Sequence, residues 1–105
     1  HLERVATPTE AFAALKHGAD ALKMFPAEQL GPAVTKAWRA VIPSIVPLLP
    51  VGGVKPDNMG PQLAAGASGF GLGSALYKPG QDAAATRANA LAFIEGWKAA
   101  RGAQK

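Results

Sequence analysis

Short apolar runs bounded by glycine or proline alternate along this chain with longer stretches whose apolar residues recur at helical spacing, a pattern that predicts strand, helix, strand, helix. Leu2 to Ala6 reads as a short strand. In Thr7-Pro8-Thr9-Glu10 a threonine cap, a proline at the first helical position and a glutamate at the third form a capping box. The helix it opens carries Ala11, Phe12, Ala14 and Leu15, and Gly18 ends it. A second strand is expected over about Asp20 to Phe25. Pro26 and Gly31 then lead to a helix from Pro32 to Val41, with Val34, Trp38 and Val41 on one face.

Pro43 and Pro47 interrupt that helix, and Pro47-Leu48-Leu49-Pro50-Val51 is too short for another, so it reads as a buried strand ended by Gly52-Gly53. Asp57 is expected to cap a short helix that Gly66 stops near Ala65. Gly69-Phe70-Gly71-Leu72 reads as a fourth strand ending in Gly73-Ser74. A last helix spans Asp82 to about Ala100, with Leu91, Ile94 and Trp97 on its inner face. Four βα units in succession predict an α/β fold with a parallel sheet and right-handed crossovers. Lys23, Gly52-Gly53 and Gly73-Ser74 all fall at the carboxyl ends of predicted strands, where such sheets place ligands.

Composition narrows the chemistry. With 105 residues and 49% apolar content there is room for one small domain with one modest core. The absence of cysteine removes disulfides, thiol nucleophiles and thiolate metal sites, and suits a cytoplasmic protein. His1 and His17 are too far apart in sequence for a metal site. No apolar run approaches the ~20 residues of a membrane span and no basic-then-apolar leader opens the chain, so a soluble, untargeted protein is expected. The formal charge of +4 comes from scattered basic residues with no aromatic stacking platform, which argues against nucleic acid and for anionic small molecules. Lys98, Arg101 and Lys105 gather near the end of the last helix, where they complement its dipole.

The most informative residue is Lys23, alone in the apolar stretch Ala21-Leu22-Lys23-Met24-Phe25-Pro26. Apolar surroundings disfavour the charged ammonium, and an uncharged amine attacks carbonyls, so Lys23 is a candidate Schiff-base nucleophile. The bland alternative is a lysine that reaches the strand rim or pairs with Asp20 or Glu28. Val51-Gly52-Gly53-Val54 and Gly71-Leu72-Gly73-Ser74 each end a strand before a helix, and such turns can point amide N–H groups at a phosphate. Neither matches the phosphate-binding loop or the dinucleotide fingerprint, which argues against nucleotides. A glycine pair after a strand is also common for purely structural reasons. Asp57 is most simply a cap, Glu28 a hydrogen-bonding neighbour, and Phe12, Trp38, Phe93 and Trp97 are packing residues.

Taken in order and spacing, Thr7-Pro8-Thr9-Glu10, Lys23-Met24-Phe25-Pro26-Ala27-Glu28, Pro50-Val51-Gly52-Gly53-Val54-Lys55-Pro56-Asp57-Asn58 and Gly71-Leu72-Gly73-Ser74 resemble the class I aldolases of 2-keto-3-deoxy-6-phospho sugar acids. The resemblance covers nearly the whole chain from Val5 onward, and its best fit is to the galactonate branch. It implies that Lys23 condenses with the keto group, that Phe25 packs beside the imine, and that Gly52, Gly53, Gly73 and Ser74 hold the phosphate. It further implies cleavage of 2-dehydro-3-deoxy-6-phosphogalactonate to pyruvate and D-glyceraldehyde 3-phosphate, with no metal and no cofactor. A phosphate-binding barrel of the thiamine-phosphate synthase kind shares the glycine turns but leaves Lys23 without a role.

The same resemblance implies that residues 1–105 correspond to strands five to eight of a (β/α)8 TIM barrel, the carboxy-terminal half, truncated on its amino-terminal side. The family's general-base glutamate and substrate-binding arginine fall in the other half, so weak or absent catalysis by this half alone is expected. His1-Leu2-Glu3-Arg4 stands where the family carries Pro-Gly before Val5. Exposed strand edges imply homo-oligomerisation, or association with another chain. The alternative is a non-catalytic half-barrel module that binds phosphate or assembles with itself.

Overall fold

Three parallel strands position everything else in the computed structural model, which describes residues 1–103. They are β1 (Leu2–Val5), β2 (Ala21–Met24) and β3 (Leu48–Pro50), side by side in the order β1-β2-β3. The register sets Arg4 beside Lys23 and Lys23 beside Leu49. Helix α1 (Pro8–Lys16) links β1 to β2 and α2 (Pro32–Val41) links β2 to β3; α3 (Met59–Ala65) and α4 (Ala83–Gly102) follow. The expected α/β class with a parallel sheet is what the chain forms.

Local chemistry explains most of the boundaries. Thr7 Oγ1 accepts the Glu10 N–H at 3.1 Å, and Glu10 Oε1 accepts the Ala6 N–H at 3.0 Å, so the predicted cap forms with its return bond one residue ahead of the Thr7 N–H that a capping box uses. Gly18 and Gly66 follow α1 and α3 with φ of +93° and +113°, the left-handed geometry that favours glycine at helix ends. Asp82 Oδ1 takes the Ala85 N–H at 2.7 Å to start α4.

Side chains alternate across the strands, and this splits the sheet into two unlike faces. Val5, Leu22, Met24, Leu48 and Pro50 lie on one face, and this face is buried against Ala11, Ala14, Trp38 and Ile42 of the first two helical segments. A second cluster gathers Val54, Met59, Phe93 and Ala100 between α3 and α4. The other face of the sheet carries Arg4, exposed, with Lys23 and Leu49 half-buried.

Several expectations need correction. Residues 69–72 run beside β3, with the Gly71 N–H bonded to the Pro50 carbonyl at 3.0 Å, yet they form a single parallel bridge, Val51 to Gly71, instead of a fourth strand. Gly69 and Gly71 offer no side chains to pack, which weakens a strand. A Cβ on Gly71 would sit 2.5 Å from Val51 Cγ2, so this glycine permits the close approach that the bridge requires.

Asp57 does not cap α3; Asn58 precedes that helix and its side chain turns back toward the preceding loop. Val34, Trp38 and Trp97 pack as their spacing predicts, but Val41 is 57% exposed, Leu91 50% and Ile94 48%, so helical periodicity drew the covered faces of α2 and α4 too wide, and Phe12, expected to pack, is 47% exposed. The inner side of α4 is Phe93, Trp97 and Ala100. Lys105, placed by the sequence reading at the end of the last helix, lies outside the described residues.

Candidate functional site

The carboxyl ends of β2 and β3 bring the predicted site residues together. Leu22 and Met24 turn into the core, so Lys23 between them is directed to the less covered face of the sheet. Phe25 follows two residues later on that same face, about 7 Å along the strand. Its amide still donates to the Val5 carbonyl at 3.1 Å, which extends the β1–β2 pairing past the strand end and fixes the ring's starting point.

The first glycine turn lies directly against this ring. A Cβ on Gly52 would come 3.3 Å from Phe25 Cε2, and Gly52 and Gly53 hold φ of +96° and +72°. Both residues of this first turn therefore need glycine for their backbone shape. Asn58 braces the first turn: Oδ1 accepts the Lys55 N–H at 2.8 Å and Nδ2 donates to the Gly53 carbonyl at 2.9 Å. Glu28 packs on the other side, its Cβ 2.8 Å and its Oε2 3.1 Å from where a Gly53 Cβ would lie.

A cavity of about 150 Å³ is lined by Phe25, Val51, Gly52, Gly53, Leu72, Gly73 and Ser74, together with Val54, Gly71 and Ala75. Five of the six predicted site residues thus share one concave surface, and Lys23 lies outside its lining, two residues from Phe25. The amide N–H groups of Gly53, Gly73 and Ser74 donate to no acceptor among the described residues. Ser74 begins a single turn, closed by the Leu76 and Tyr77 N–H groups on the Gly73 carbonyl at 2.9 and 3.0 Å. Free amides around an open cavity suit a small anion.

Lys23 is half-buried, short of the apolar enclosure its sequence context suggested, because the face it occupies is the exposed one. Among the described residues it makes no ion pair with Asp20 or Glu28, and Glu28 sits against Gly53. Among the described residues no group of three or more His, Asp or Glu side chains is arranged to hold a metal ion, and no helix is long and apolar enough to cross a membrane.

Two residues of the site escaped the sequence reading. Asn58 carried a signal, since asparagine commonly bonds backbone groups of its own turn. Arg4 carried none, because its place over Phe25, with Cζ 5.0 Å from the ring centroid, follows only from the strand register. Away from the site, Arg39 joins distant segments through bonds to the Gly66, Pro43 and Val46 carbonyls at 3.1, 3.1 and 2.9 Å and to Ser68 Oγ at 3.3 Å. Desolvation by burial lowers its guanidinium below the ordinary arginine value.

Known proteins share both sequence and shape with this chain. It is 47% identical over 95 residues to 2-dehydro-3-deoxy-6-phosphogalactonate aldolase of Escherichia coli (strain K12), covering 90% of this chain and 46% of that protein. It is 46% identical over 101 residues to a probable 2-dehydro-3-deoxy-6-phosphogalactonate aldolase of Rhizobium meliloti (strain 1021), covering 96% of this chain and 48% of the relative. The chain therefore spans about half the length of the curated relatives it matches. A solved structure described as native KDPGal superposes with a TM-score of 0.94 at 44% identity, over 96% of this chain and 49% of the other. The family model for KDPG and KHG aldolase matches residues 2–91, and this chain belongs to that family.

Proposed function

We propose that the chain carries the imine-forming and phosphate-binding parts of a class I aldolase acting on 2-dehydro-3-deoxy-6-phosphogalactonate. The single observation that carries the reading is spatial: Phe25, Gly52, Gly53, Gly73 and Ser74 line one cavity, and Lys23 stands on β2 two residues before Phe25, which follows the strand end. Family membership supports it. In this reading the sheet and its helices correspond to half of a (β/α)8 barrel, a correspondence supported by the superposition on about half of a solved chain. The protein works in the cytoplasm, without metal or cofactor, and its exposed edges associate with another chain.

The chemistry follows from the amine. Lys23 Nζ adds to the C2 carbonyl of the keto acid, and the carbonyl oxygen leaves as water to give an iminium. As the C4 hydroxyl gives up its proton to a base, the C3–C4 bond breaks and its electron pair passes to the iminium, so the aldehyde leaves and an enamine of pyruvate remains. Protonation at C3 and hydrolysis return pyruvate and the free amine. Meanwhile the phosphate at the far end of the substrate accepts hydrogen bonds from the Gly53, Gly73 and Ser74 amides, and Phe25 walls the space between the two ends.

Imine capture tests the reading without requiring turnover. Borohydride added with pyruvate is expected to produce a stable reduced adduct by intact mass, absent from Lys23→Ala. If wild type gains no adduct, or Lys23→Ala gains as much as wild type, the aldolase reading is withdrawn.

A further inference from the structure

We propose that Arg4 is a substrate-binding residue that takes the carboxylate of an α-keto acid while Lys23 engages the adjacent carbonyl. The proposal rests on the Lys23 reading above and adds a recognition group to it. Arg4 and Lys23 are register partners on neighbouring parallel strands, so their side chains leave the same face of the sheet from backbones about 4.8 Å apart. In an α-keto acid the carboxylate and carbonyl carbons are directly bonded. A site for such a molecule needs a cation and an amine side by side, and this row supplies both.

The guanidinium is held rather than free. Its Cζ lies 5.0 Å from the Phe25 ring centroid, and Phe25 in turn packs on Gly52 and lines the glycine-turn cavity. This cation–π contact uses none of the guanidinium N–H donors for a hydrogen bond among the described residues, which leaves them available to a planar carboxylate. No protein carboxylate pairs with Arg4 among the described residues, and its neighbour Glu3 lies 3.1 Å from the His1 ring. An arginine stacked, unpaired and beside a candidate nucleophile is placed to select keto compounds that carry a negative charge next to the carbonyl.

The test compares pyruvate with methyl pyruvate, which keeps the ketone and lacks the charge, in borohydride trapping on wild type, Arg4→Gln and Arg4→Met. Methionine retains an unbranched stem against Phe25, which separates a packing role from a charge role. Both variants are expected to need about tenfold more pyruvate for half-maximal adduct, with the ester's requirement unchanged. Unchanged pyruvate dependence in both variants, or equal shifts for acid and ester, overturns the role of Arg4 while Lys23 trapping stands. A wild type that traps neither compound overturns both.

Discussion

Gly53→Ala separates a turn that needs glycine from one that merely contains it. At φ +72° an L side chain is in the left-handed region, which costs about 1–2 kcal/mol. The new Cβ would also lie 2.8 Å from Glu28 Cβ, an atom tied to the backbone that cannot swing aside, and relieving such crowding costs about 1–3 kcal/mol. Reduced freedom of the unfolded chain offsets about 0.4–1 kcal/mol, leaving a net loss of about 1–4.5 kcal/mol. Gly73→Ala is the matched control: Gly73 has no positive φ and nothing within 4 Å of an added Cβ, so its change stays within about 0.5 kcal/mol. Urea unfolding followed by the fluorescence of the buried Trp38 reads both. With a slope of about 1–1.5 kcal/mol/M, Gly53→Ala lowers the midpoint by about 0.7 M or more and Gly73→Ala shifts it by less than about 0.5 M. Equal midpoints for the two variants would refute the claim that Glu28 and the backbone lock the first turn into its shape.

Three further outcomes are expected. Gly96→Ala, which in an open helix stabilises by about 1 kcal/mol, should instead destabilise by about 1–3 kcal/mol, because its Cβ would meet the Pro56 carbonyl oxygen at 2.4 Å; thermal melts decide the sign. Arg39→Met removes four hydrogen bonds and should cost about 2–3 kcal/mol in chemical denaturation, while Arg39→Lys recovers only part because an ammonium cannot span the same carbonyls. Asn58→Ala unties Gly53 from the start of α3, so thermal protection by inorganic phosphate should fall about threefold or more, with pyruvate trapping at Lys23 retained.

What was legible in the sequence divides along a physical line. Elements announced by local chemistry came out as read: Thr7 with Glu10, Pro32 at the start of α2, Gly18 and Gly66 at helix ends, Asp82 at the start of α4. Each of these signals acts within one turn of chain. The meeting of Phe25 with Gly52, Gly53, Gly73 and Ser74 was also legible, since strand ends of a parallel sheet converge on one side. Features that depend on what covers a surface were not. Val41, Leu91 and Ile94 keep helical spacing yet remain exposed, and Lys23 stands on the open face while its neighbours Leu22 and Met24 fill the core. Gly96 and Arg39 were invisible for a related reason: their partners, Pro56 and Gly66, are remote in sequence and brought close only by packing.

The central claim is that one amine among several is set apart by its position on β2. Peptide mapping of the pyruvate adduct after borohydride reduction reads this directly, because Lys16, Lys36, Lys55, Lys78 and Lys98 serve as internal comparisons. The reduced adduct is expected on Lys23, well in excess of every other lysine. Modification spread evenly over those lysines, with no excess at Lys23, would contradict it.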